Sequence, residues 1–130
     1  MYLIDTNILL ELLLDQERAD EAESFLLENS TTDLYITEYS LYSMGIIMFH
    51  RGLYNPFWDF LSDLMKQVDI LNISVQEMKS IGESAQTFNL DFDDAYQYAV
   101  AKKHDLEIVS FDSDFDRTDL GRLTPEQLTA

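Results

Sequence analysis

Three apolar residues, Tyr2-Leu3-Ile4, stop abruptly at Asp5-Thr6-Asn7, and apolar positions then resume at helical spacing from Ile8 through Leu14. A short unbroken apolar run with a β-branched residue predicts a strand buried on both faces. The same alternation of strand-like and helix-like stretches continues along the chain. Arg18 to Leu27 reads as an amphipathic helix with Ala19, Ala22, Phe25 and Leu26 inward, and Leu34-Tyr35-Ile36 as a second strand. Thr37 is placed to cap a helix running through Leu41, Met44, Ile47 and Met48 to about Arg51, where Gly52 ends it.

Asn55-Pro56 predicts a further helix start, with Asn as cap and Pro at the first helical position, and Phe57, Phe60, Leu61, Leu64 and Met65 as its apolar face. Val68 to Ile73 reads as a third strand. Ser74-Val75-Gln76-Glu77 is a capping-box pattern opening a helix through Met78, Ile81 and Ala85. Asn89-Leu90-Asp91 turns the chain into a helix from Phe92 to His104, and Leu106 to Ser110 is a fourth strand. The tail is weaker in pattern, with an edge strand expected near Gly121 to Leu123 and a turn at Thr124-Pro125-Glu126. The alternation predicts an α/β fold with a parallel sheet covered by helices.

At 130 residues the chain is expected to be one domain over 1–130, burying roughly two-thirds of its unfolded surface. Its 46% hydrophobic and 12% aromatic content fits an ordered globular chain. No apolar run reaches the roughly 18 residues that span a bilayer, and no secretory leader pattern opens the chain, so a soluble cytoplasmic protein is expected. Cysteine is absent, which excludes thiolate metal sites and leaves oxygen-ligand sites open. The formal charge of −17, from 25 acidic against 8 basic residues, repels nucleic acid over most of the surface. A salt-adapted host, a basic partner or a heavily solvated exterior would each explain it.

Some acids do not read as surface. Asp5 follows a buried strand, where open α/β sheets place ligands; Asp5 or Asn7 as a simple helix cap is the competing reading. Asp91, Asp93 and Asp94 head an otherwise apolar helix, and Asp112 and Asp114 follow the fourth strand. Each alone serves as a cap or a dipole partner. Together they bring carboxylates from two strand ends and one helix start to the same sheet edge. Clustered carboxylates repel unless protonated or bridged by a divalent cation, and an oxygen-only set suits Mg²⁺ or Mn²⁺. Such an ion activates water against a phosphodiester, which points to metal-dependent phosphodiester hydrolysis.

Leu3-Ile4-Asp5-Thr6-Asn7, then Asp94-Ala95, then Val109-Ser110-Phe111-Asp112-Ser113-Asp114-Phe115 resemble, in order and spacing, the PIN domain, the nuclease family that includes VapC-type toxins. The resemblance implies a three-layer sandwich with a central parallel sheet of about five strands. It also implies an Mg²⁺- or Mn²⁺-dependent endoribonuclease, a homodimer, an RNA substrate and a small antitoxin partner. Carried over by position, Asp5, Asp94 and Asp112 are the catalytic and metal-binding acids, and Asp114 is an additional metal ligand. Thr6, Asn7, Ser110 and Asp91 support the pocket. One position departs: where the family places a glutamate, about one and a half turns into the helix after the second strand, this chain has Ser43. Glu38, a turn earlier, either substitutes as a ligand or merely complements the helix dipole.

His50 and His104 end helices, where a cation is favourable. Tyr39, Tyr42, Met44, Phe49 and Trp58 fall at helical spacing and read as core or dimer interface rather than base-stacking platforms. Arg51, Lys102, Lys103, Arg117 and Arg122 are the cations available to a phosphate backbone, unless neighbouring carboxylates pair with them. Two other classes remain: a PIN-fold binding module with a weakened site, and a phosphoryl-accepting signalling domain. The latter needs an acceptor aspartate after the middle strand, where this chain has Ser74.

Overall fold

The computed structural model describes residues 1–130. Four strands, β1 (Tyr2–Ile4), β2 (Leu34–Thr37), β3 (Val68–Leu71) and β4 (Glu107–Val109), pair in the order β3-β2-β1-β4, and every pairing is parallel. Six helices connect them: α1 (Thr6–Leu13), α2 (Ala19–Glu28), α3 (Glu38–His50), α4 (Tyr54–Leu64), α5 (Met78–Phe88) and α6 (Phe92–His104). None is long and apolar enough to cross a membrane.

The pleat sorts the strand residues between two cores. Leu3 and Ile108 face one side, where Ile81 of α5 and Ala95, Tyr98 and Ala99 of α6 pack on them. Ile4, Ile36 and Val109 face the other, against Ile8 and Leu9 of α1, Phe25 and Leu26 of α2 and Leu64 of α4. The result is the expected three-layer α/β arrangement.

The expected fifth strand is reduced to a single parallel bridge between Leu123 and Val109. Leu123 donates to the Ile108 carbonyl at 2.8 Å and accepts from Ser110 at 3.0 Å. The ladder cannot extend, because Pro125 has no N–H and Thr124 already caps a 3₁₀ turn over Pro125–Leu128. β3 stops at Leu71 rather than Ile73, whose N–H turns to the Tyr96 hydroxyl at 3.3 Å.

Two expected caps are present. The Thr37 hydroxyl accepts from the Ser40 N–H at 3.0 Å, and Ser74 with Glu77 forms a reciprocal box heading a 3₁₀ turn that runs into α5. Asn55 is not a cap: α4 begins at Tyr54, and Leu53 precedes it without a side-chain bond. Pro56 is tolerated there because a first-turn N–H has no intrahelical acceptor. Gly52 closes α3 at φ +70°, a conformation that disfavours any residue with a Cβ.

Phe25 is fully buried and meets Tyr2 edge-on, with centroids 6.3 Å apart, so it joins α2 to the sheet. Phe25→Ala is expected to cost about 3–5 kcal/mol in urea unfolding, with the denaturant slope unchanged.

Candidate active site

The strand order reverses between β1 and β4: from β1 the chain builds outward to β2 and β3, then returns to pair β4 on the opposite side. Crevices at such a reversal, outside the C-terminal strand ends, are where α/β sheets bind ligands. Ile4 pairs with Val109, so Asp5 and Ser110 emerge side by side at that crevice.

Asp5 is buried, at 7% exposure. Its Oδ1 accepts from the Thr6 N–H at 2.8 Å, and its Oδ2 accepts from Ser110 Oγ at 2.7 Å. Ser110 in turn accepts from Asn7 Nδ2 at 3.1 Å and from the Asp112 N–H at 2.9 Å. Asn7 Oδ1 accepts the Phe111 N–H at 3.3 Å. Thus Thr6, Asn7 and Ser110 hold Asp5 in place and tie β1 to the segment after β4.

Asp94 enters from α6. Asp91 caps that helix by accepting the Asp94 N–H at 3.1 Å, which leaves the Asp94 carboxylate free. Asp94 is 5% exposed, and its Oδ2 is buried with no hydrogen-bond partner. Asp112 accepts the Asp114 N–H at 2.8 Å, and one carboxylate oxygen each from Asp94, Asp112 and Asp114 lies within 4.8 Å of the others. Asp114 also pairs with Arg117 at 3.1 Å. A crevice of about 290 Å³ is lined by Asp5, Thr6, Asn7, Tyr39, Ser43, Ile47, Asp91, Asp93, Asp94 and Asp112, among others.

Two caps are therefore also crevice residues, so capping and facing the crevice are not alternatives here. Asp5 and Asp91 are helix caps that also face the crevice.

Glu38 corrects an expectation. It does not line the crevice; its carboxylate instead accepts from the Tyr42 hydroxyl one turn on. The reason is helical geometry. Tyr39, Ser43 and Ile47, four residues apart, form the crevice-facing stripe of α3 beside the buried stripe of Ser40, Met44 and Met48, and Glu38 with Tyr42 lies further round. Tyr39 is likewise not merely core or interface, since its hydroxyl donates to Asp93 at 2.6 Å on the crevice wall.

Beneath the crevice lies a polar cluster that the sequence reading missed. Thr6 Oγ1 and Ser40 Oγ are 2.7 Å apart, and Gln97 Nε2 donates to both, at 3.2 and 2.8 Å. This joins the starts of α1 and α3 to the middle of α6. The available signal was Gln97 itself, the one polar residue within Ala95 to Ala101.

Burial is the largest influence on both central acids. It pushes Asp5 up to about 6, opposed by the Ser110 and Thr6 hydrogen bonds and reinforced by Asp112 and Asp93. It pushes Asp94 up to about 8, reinforced by Asp112, Asp91, Asp5 and Asp114. An acceptor-only cluster with a buried, donorless oxygen fits a hard divalent cation with oxygen ligands.

The PIN domain family model matches residues 2–120, and the chain belongs to that family. Among solved structures it is similar to a chain of a toxin–antitoxin complex from Klebsiella pneumoniae, with 25% identity and TM-score 0.73, over 96% of this chain and 98% of that one. VapC20 of Mycobacterium tuberculosis, described as a sarcin–ricin loop cleaving toxin, shares the fold at 16% identity and TM-score 0.78, over 95% and 98%. So does a chain of VapBC2 from Rickettsia felis, bound to a fragment of its promoter DNA, at 15% and 0.77, over 95% and 97%. No curated protein matches the sequence.

Raised carboxylate pKa values mean that the metal-free fold holds protons the unfolded chain releases. That stabilisation is complete below about pH 4 and is lost as pH rises through about 6 for Asp5 and about 8 for Asp94. Metal-free protein is therefore expected to lose Tm between pH 5 and 8 by this contribution. Asp94→Asn is expected to flatten the profile and raise Tm at pH 8 by roughly 3–6 °C, measured by calorimetry in chelator.

Proposed function

We infer that this chain is a divalent-metal-dependent endoribonuclease and the toxin half of a toxin–antitoxin pair. The observation that carries the reading is the convergence of Asp94, Asp112 and Asp114, with the donorless Asp94 oxygen, beside buried Asp5 at the strand-order reversal. Asp5, Asp94, Asp112 and Asp114 would hold Mg²⁺ or Mn²⁺, which lowers the pKa of water and offsets charge on a phosphodiester. Asp5 is fixed from behind by Ser110 and the Thr6 N–H, so its orientation toward the crevice costs nothing at the moment of reaction. Held there at the crevice, its carboxylate would keep one fixed orientation toward the cation. Asp91 keeps the Asp94 N–H occupied.

The fold likeness to toxin–antitoxin complexes supports a small antitoxin partner. The surface supports it too: Tyr42, Ile46, Phe49, Tyr54 and Trp58, on α3 and α4, are all more than half exposed. A strip this apolar calls for cover by a partner or by a second copy, which agrees with a homodimer. A second reading, a PIN-fold binding module with a weakened site, is favoured by one observation. Ser43 occupies the crevice wall where a carboxylate was expected, and Glu38 does not replace it.

Cleavage of single-stranded RNA in Mn²⁺ separates the two. Asp5→Asn, Asp94→Asn and Asp112→Asn are each expected to slow it by on the order of 100-fold or more. Ser110→Ala, which only releases Asp5, should cost roughly 10–100-fold, and Glu38→Gln should leave the rate unchanged. Absence of wild-type cleavage in Mn²⁺ would sink the enzyme reading in favour of the binding module, and undiminished cleavage by Asp94→Asn would take the acidic crevice out of the chemistry.

A further inference from the structure

Seven of the eight basic residues lie exposed, and Arg122 is the exception, with 18% of its side chain open to solvent. A guanidinium taken this far out of water is costly unless its N–H groups find acceptors. Arg122 finds three. Its Nε donates to Asp116 Oδ1 at 3.1 Å and its Nη2 to Asp116 Oδ2 at 3.4 Å, a two-point fork. Its Nη1 donates to the Ser110 carbonyl at 3.2 Å. Those acceptors stand at the two ends of the segment that carries Asp112 and Asp114.

The backbone at the root of Arg122 is set before its side chain reaches across. Gly121 turns the chain at φ +62°, and its N–H donates to Thr118 Oγ1 at 3.1 Å. Leu123 then joins the sheet by its bridge to Val109. Ser110 is held on three sides: its N–H donates to the Leu123 carbonyl, its carbonyl accepts from Arg122, and its hydroxyl donates to Asp5. Beyond Ser110 the chain leaves the ladder for a 3₁₀ turn over Ser113–Arg117. Such a turn has poor internal hydrogen-bond geometry, so its position has to be fixed from outside. Buried Phe115 anchors its middle, and Arg122 draws its far end back to Ser110.

We propose that Arg122 is a positioning residue for the cation site: by gripping the Ser110 carbonyl and the Asp116 carboxylate together, it fixes the segment between them and so holds Asp112 and Asp114 close to Asp94. The proposal rests on the metal-dependent reading above, and adds to it a residue that pairs with none of the four acids that would hold the ion. Its charge alone would act the other way. A cation near the crevice repels a second one, so removing the charge by itself tightens metal binding. Removing a clamp loosens it. The sign of the change separates the two roles.

The test is Mn²⁺ binding by calorimetry at physiological salt, which screens distant charges, with Tm in chelator measured alongside. Arg122→Met is expected to weaken Mn²⁺ binding roughly tenfold. Arg122→Lys should recover only part of this, because an ammonium keeps the charge but lacks the planar fork that bridges both acceptors. Asp116 is exposed and its carboxylate bonds only to Arg122, so Asp116→Asn probes the clamp even where Arg122→Met fails to fold. Asp116→Asn should also weaken Mn²⁺ binding, and should add little in the Arg122→Met background. Lys102→Met, which breaks an ion pair outside the crevice, should leave the affinity unchanged. Equal or tighter Mn²⁺ binding by Arg122→Met or by Asp116→Asn overturns the positioning role. A lowered Tm with unchanged affinity overturns it too, and leaves Arg122 as a structural ion pair. If wild type binds Mn²⁺ and the Arg122 and Asp116 variants bind it equally well, only the positioning role fails. If wild type binds none, the metal-dependent reading fails and this proposal falls with it.

Discussion

Carboxylates from three elements are forced together at the mouth between β1 and β4, and the surrounding structure keeps them from moving apart. At separations under 4.8 Å, two charged groups near a protein surface repel by on the order of 3 kcal/mol. Burial adds to this for Asp5 and Asp94, so that without a counter-ion both are driven toward their protonated forms. An ordinary surface would let the side chains swing out into water. Here Asp5 is pinned by Ser110 and Thr6, and Asp112 is pinned by the Asp114 N–H. The fold stores electrostatic tension that a bound divalent cation would release.

That tension has to be borne by something rigid. Gln97, Thr6 and Ser40 tie α6, α1 and α3 together directly beneath the acids. Ser110 and Asn7 tie β1 to the loop after β4. Each helix that carries an acid starts at the sheet edge, so helix caps and crevice walls are made from the same side chains. Economy of this kind explains why neither reading of Asp5, cap or site acid, excluded the other.

Much of the fold was legible because its cause is local. Buried parallel strands appear as short apolar runs, and an acid placed immediately after one, as at Ile4-Asp5 or Val109-Ser110-Phe111-Asp112, is conspicuous. The expected edge strand near Gly121 to Leu123 is present only as the Leu123 bridge, and that reduction was not legible, because it depends on Pro125 and on the Thr124 cap rather than on hydropathy. The faces of α3 were harder still. That helix is apolar nearly all round, so periodicity could not show that Tyr39, Ser43 and Ile47 point at the crevice while Glu38 and Tyr42 do not. The same blindness hid that Tyr39, which packs on the core as expected, also reaches the crevice wall through its hydroxyl. Gln97 announced itself only as a polar interruption, and its partners lie 57 and 91 positions away in sequence.

Everything functional rests on the acids being a cation site rather than a strained relic, and thermal unfolding at pH 7.5 in rising Mn²⁺ tests this most directly. A ligand bound only by the folded state stabilises it by about 2.7 kcal/mol at one hundred times its dissociation constant. Wild type is expected to gain Tm steadily with the logarithm of Mn²⁺ concentration, while Asp94→Asn and Asp112→Asn begin from a higher metal-free Tm and gain little. A wild-type Tm that stays flat into millimolar Mn²⁺ would contradict the cation site and with it the nuclease reading, and would leave the fold standing.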